Sequence, residues 1–97
     1  MTDTLYQEAL ELWGEDFQLD LAVEEASELI KAVCKLKRAT AVEDRALSLS
    51  ALSDELADNI IMIEQLSYQY GLNELVSIQV QQKRERLQKR IAKKLSS

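Results

Sequence analysis

The sequence predicts an all-α protein, and three observations carry that prediction. There is no proline and there are only two glycines, Gly14 and Gly71. Between them the chain is rich in Ala, Leu, Glu, Gln, Lys and Arg, residues that lose little on entering a helix. Its apolar residues recur at helical spacings of three and four. At 97 residues the chain, 1–97, reads as one domain. Its lone core would be modest, so self-association is expected to supply the missing burial.

The elements follow in order. Thr2 or Thr4 is placed to cap a short first helix running to about Trp13, with Leu5, Ala9 and Leu12 on one side and Gly14 ending it. A second helix spans roughly residues 17 to 39, with Ala22, Ala26, Leu29, Ile30, Val33 and Leu36 as its inner stripe. Residues 40 to 47 lack periodicity and read as a surface loop. Ser48 or Ser50 then caps a third helix lined by Leu52, Leu56, Ile60, Ile63 and Leu66, which reaches about Tyr70 before Gly71 stops it. Asn73 caps a fourth helix, from about Glu74 to the C-terminus, with Val76, Val80, Leu87, Ile91 and Leu95 at spacings of four and seven. One short and three long helices pack as a bundle.

Composition removes several functional classes. There is no histidine and a single cysteine, Cys34, so neither a disulfide framework nor a His/Cys zinc site can be built. Cys34 is expected to be a small packed residue. No apolar run approaches the roughly 18 to 20 residues of a membrane span, and the acidic N-terminus is unlike a signal peptide, so a cytoplasmic protein without a membrane partner is expected. The net charge of −5 is unevenly placed. Residues 1–75 carry 16 acids and 5 bases, whereas residues 76–97 carry 7 bases and only Glu85. The acidic majority would repel a phosphate backbone, so nucleic acid is not the expected partner.

Two acidic pairs stand out, Glu25 with Glu28 and Glu55 with Asp58, each three residues apart in a helical, otherwise apolar stretch. With Glu25 at 0°, Glu28 falls near ~300° and the apolar Leu29, Leu36 and Ala22 at ~20–60°, while Glu24 lies further out near ~260°. On the third helix Asp58 lies near ~300° from Glu55, with Asn59, Met62, Leu52 and Leu66 on the same stripe. Acids three apart often mark the edge of a solvated face. Two pairs turned inward on neighbouring helices equally suit an all-oxygen site for a hard divalent cation, with Mg²⁺ fitting best.

Written out, Glu24-Glu25-Ala26-Ser27-Glu28, 26 residues, then Glu55-Leu56-Ala57-Asp58 resembles the EExxE…ExxD signature of the MazG-like all-α nucleoside triphosphate pyrophosphohydrolases. The stretches YQEALELWGEDFQLDLAVEEASELIKAVCKLKRA and DELADNIIMIEQL resemble the same family, so the likeness covers nearly the whole chain. It implies a MazG-like helical bundle assembling as a dimer or a dimer of dimers. Glu25, Glu28, Glu55 and Asp58 would hold Mg²⁺, with Mn²⁺ as a substitute. The reaction implied is hydrolysis of a nucleoside triphosphate to the monophosphate and pyrophosphate, with Glu24 or Glu28 orienting or deprotonating the water. Lys83 and Arg86, in KRERLQKRI, match basic positions of the family's last helix and would reach phosphates. Trp13 is placed either to stack on a base or to close the core, and Gln18 and Asn59 are candidates for base or sugar contacts. The loop ATAVEDRALSLS carries no aromatic clamp, so the base stays unassigned. The other reading is a non-catalytic nucleotide-binding or helical assembly protein of the same fold.

Overall fold

The computed structural model describes residues 2–97 as four α-helices: α1 (Thr2–Trp13), α2 (Glu15–Arg38), α3 (Val42–Gln69) and α4 (Asn73–Ser96). No strand occurs among the described residues, and none of the helices is long and apolar enough to cross a membrane. The two long helices α2 and α3 form an antiparallel hairpin, α1 lies against both, and α4 packs only against α3.

Local chemistry explains these boundaries. Gly14 separates α1 from α2 at φ 85° and ψ 168°, a region that only glycine enters easily. Beyond it Glu15 and Asp16 lie at the positive end of the α2 dipole, and Lys35, Lys37 and Arg38 at the negative end. Gly71, at φ 64°, ends α3 in a paired-bond turn: Leu72 N–H donates to Ser67 O at 2.8 Å and Gly71 N–H to Tyr68 O at 3.2 Å.

Several expectations about helix ends need correction. Residues 42–47 are not a loop but the first turns of α3, because Glu43 and Asp44 suit the helix N-terminus and Arg45, Ala46 and Leu47 are good helix formers. The connection shrinks to residues 39–41. Ser48 and Ser50 therefore lie inside α3 and cap nothing, and Ser48 is buried. Asn73 is the first helical residue of α4, preceded by Leu72, and makes no capping bond. Thr4 lies within α1, and the side chain of Thr2, the first helical residue, lies outside the described residues.

The interior is thin and partly polar. Tyr6, Ala32 and Met62 are its buried apolar residues, joined by Gln18, Ser48 and Ser67. Tyr6 ties α1 to α3 by donating its hydroxyl to Glu64 Oε1 at 2.6 Å, and that bond together with burial pushes its phenol up to about 12. Ala22, Leu29 and Leu36 of the expected α2 stripe are half-covered, whereas Ala26, Ile30 and Val33 face out. On α3, Leu52 and Leu66 turn inward while Leu56, Ile60 and Ile63 do not. On α4 only Val76 is even half-covered, and Val80, Leu87, Ile91 and Leu95 are exposed. Cys34, expected to be packed, is exposed because it lies on the side of α2 away from α3. The chain is correspondingly open. Its surface is 7828 Å², against about 5,700 Å² for a compact domain of its mass. Its radius of gyration is 17.2 Å, against about 12.5 Å.

The two glycines allow a clean comparison, because a Cβ at either would meet nothing within 4 Å. Any loss on substitution is therefore backbone strain. Gly71→Ala should lower stability by about 1 kcal/mol. Gly14→Ala should lower it by about 2 kcal/mol, because its φ/ψ pair is further from any region open to L-residues. Urea denaturation of the two variants measures the order, and equal losses would contradict it.

Candidate functional site

The site grows out of the α2–α3 hairpin. The amide of Asn59 donates Nδ2 to Glu55 O in its own helix at 2.8 Å and to Glu25 O in α2 at 3.0 Å. One side chain thus fixes the level of one helix against the other. At that level one carboxylate oxygen each from Glu25, Glu55 and Asp58 come within 4.8 Å of one another.

Such crowding has an electrostatic consequence. Burial, then the charges of Asp58, Glu55 and Glu24 and a hydrogen bond with Asp58, raise the Glu25 carboxyl above its ordinary value. Burial, then Asp58, Asp54 and Glu28, raise Glu55. Glu55 Oε2 is buried with no hydrogen-bond partner. A carboxylate oxygen cut off from water and left without a donor is costly unless a cation meets it. No Lys or Arg pairs with these three acids; the ion pair among the described residues is Lys31 with Glu28, 3.5 Å apart and exposed.

The other expected residues are distributed as follows. Glu28 lies beside the cluster, close enough to act on Glu55 through its charge, with its Oε1 toward Lys31. Glu24 is exposed and acts on Glu25 through charge. Asn59 serves the helix pairing through its amide nitrogen, a role that the expectation of a base contact did not include. Gln18 is 2% exposed, the largest fully buried side chain among the described residues, and its Oε1 has no partner. Trp13 is exposed and stacks on Phe17, ring centres 5.9 Å apart, so it closes no core. Lys83 and Arg86 line a shallow surface recess with Gln79 and Gln82 on α4, a helix that does not pack against α2. Within one chain they do not join the acids. Sequence reasoning missed Asp54, a further acid pressing on Glu55 from the preceding residue. Adjacency was the available signal.

All donors at the cluster are carboxylate oxygens, a set suited to a hard divalent cation and unsuited to zinc or copper. No protein-family model, curated protein or solved structure matches this chain.

The raised carboxyls make stability depend on pH. In the unfolded chain Glu25 and Glu55 titrate at the ordinary 4.5, and in the fold they hold their protons to higher pH. Their contribution is therefore fully present below that value and is lost as pH rises through the raised ones. In EDTA, Glu55→Gln should raise Tm at pH 7 and leave it little changed at pH 4, since it removes one repelling charge. Thermal melts across that range check this, and a lower Tm for the variant at pH 7 would contradict it. Asn59→Ala should cost about 1–3 kcal/mol at any pH by leaving the helix pairing without its amide bridge, measurable by urea denaturation.

Proposed function

We propose that this chain is a Mg²⁺-dependent nucleoside triphosphate pyrophosphohydrolase of the MazG-like kind. The observation that carries the reading is the meeting of Glu25 with Glu55 and Asp58, from separate helices and in the spacing EExxE…ExxD, around a buried carboxylate oxygen that lacks a partner. Glu25, Glu55 and Asp58 would hold the ion, with Glu28 beside them as the fourth carboxylate. When bound, the ion supplies charge neutralisation on the phosphates and acidifies water for attack.

The chain's own groups do the rest. Asn59 keeps the two helices in register so that the carboxylates converge. The cluster's three negative charges repel a free phosphate, which makes substrate binding conditional on the cation. Glu24 and Glu28 stand on the flank of α2 beside the cluster, where one of them takes the proton as water oxygen bonds to the α-phosphorus. The anhydride bond to the β-phosphate then breaks and pyrophosphate leaves with its electron pair. A cation such as Lys83 or Arg86 stabilises that departing charge. A dimer or dimer of dimers fits the reading, because one open chain of this size encloses little.

The test is product analysis with a panel of ribo-, deoxyribo- and modified nucleoside triphosphates, in Mg²⁺ and in EDTA. Monophosphate and pyrophosphate should appear only with the metal. Glu55→Gln should lower kcat by more than about 100-fold, since loss of a direct ligand exceeds the usual effect of an outer partner. Lys89→Ala should leave it near wild type. Equal losses in the two variants, or no cleavage of any triphosphate, would overturn the reading.

A further inference from the structure

Beyond its first turn α4 is bare. Every residue from Ser77 to Ser97 is exposed, α4 buries no side chain, and it packs only against α3. Its apolar residues nevertheless keep to one side. With Val76 at 0°, Leu87, Ile91 and Leu95 fall at ~20°, ~60° and ~100°, continuing the line of Val76 and Val80 as a narrow stripe. Leu87 is 53% exposed, Ile91 52% and Leu95 82%.

The charge on the same helix is as one-sided. Residues 83–97 hold seven bases against the single acid Glu85. Lys83, Arg86, Lys89, Arg90 and Lys93 fall at ~220–340°, an arc along one flank of the stripe. None of the seven forms an ion pair among the described residues. Leu87 and Ile91 share a shallow recess with Arg90, Lys93 and Lys94, so apolar carbon and cationic nitrogen meet on one surface.

Two kinds of anionic surface attract such a helix, and the stripe separates them. A nucleic-acid backbone takes the bases but leaves the stripe in water, and α4 offers no aromatic side chain to stack on a base. An anionic bilayer takes both. Its headgroups meet the lysines and arginines, whose long side chains reach sideways to them, while the acyl boundary covers the stripe. Clusters of about four to eight bases on an amphipathic helix match acidic lipid headgroups in this way. Lying on a bilayer needs no spanning run, so it is compatible with the lack of a helix long and apolar enough to cross one. The charge split also sets the orientation: +6 over residues 76–97 is drawn to the surface, and −11 over residues 1–75 is turned away from it.

We propose that the C-terminal half of α4 is a membrane-surface helix for anionic phospholipid, with Leu87, Ile91 and Leu95 in the acyl boundary and Lys89, Arg90, Lys93 and Lys94 on the headgroups. Lipid binding does not depend on what the acidic cluster does.

Vesicle flotation of the wild-type chain tests the assignment. The protein should float with vesicles of phosphatidylcholine and phosphatidylserine and not with phosphatidylcholine alone. Raising salt from about 0.15 M to 1 M should release it, as the Debye length falls from about 8 Å to 3 Å. The triple variant Lys89→Gln/Lys93→Gln/Lys94→Gln should partition about 100-fold more weakly, since each base near the surface contributes about fivefold, with helical circular dichroism and triphosphate turnover in solution unchanged. The double variant Ile91→Ser/Leu95→Ser keeps every charge and should lose at least about tenfold. Equal binding to neutral vesicles, or full binding by either variant, overturns the proposal. So does a wild type that fails to float, and a salt-sensitive shift of short duplex DNA in that case assigns the bases to nucleic acid. A wild type that floats but cleaves no triphosphate sinks the hydrolase reading alone.

Discussion

The structure depends most on a single amide. Asn59 joins the backbones of α2 and α3 at the height where three carboxylates face one another. Helix pairs usually hold their register through interdigitating apolar side chains, whose attraction tolerates some slip. Here the like charges of the cluster push the helices apart. A donor shared between two main-chain carbonyls resists both sliding and separation, because moving either helix breaks one bond. The convergence of Glu25 with Glu55 and Asp58 is thus enforced by a neutral group against the charges' own preference.

The thin interior and the open shape share a cause. Among the described residues only Tyr6, Ala32 and Met62 are buried apolar residues, while Ile30, Val33, Leu56, Ile60 and Ile63 keep much of their surface. Chains of this size commonly add a metal or a partner where the core falls short. This one has neither histidine nor a disulfide to draw on. The fourth helix, apolar along one stripe and basic beside it, buries no residue.

Much of the fold was legible because helix chemistry is local. The absence of proline, the two glycines and the three-and-four spacing predict four helices, and the stops at Gly14 and Gly71 lie where a positive φ is required. The start of α3 was not legible, because a run of small and charged residues carries no periodicity yet is entirely compatible with a helix. The inner stripes were only half legible. A helical wheel says which residues share a face but not how many neighbours that face has, so Leu66 turned inward and Ile63 did not. At the site, spacing put Glu25, Glu55 and Asp58 on facing stripes. The bridging role of Asn59 depends on which carbonyl of a different helix lies opposite, and no wheel contains that.

Charge balance links the cluster to the rest of the molecule. The raised carboxyls can be relieved by protons or by a divalent cation, and these compete for the same oxygens. A divalent cation would therefore displace protons from these carboxyls, and protons would weaken its hold. A polyphosphate would change the balance, because its own negative charge gives a bound cation a further partner. In such a site the cation and the polyphosphate would each strengthen the binding of the other. Cation and substrate would then form one coupled equilibrium, and the repulsion among Glu25, Glu55 and Asp58 is what would couple them.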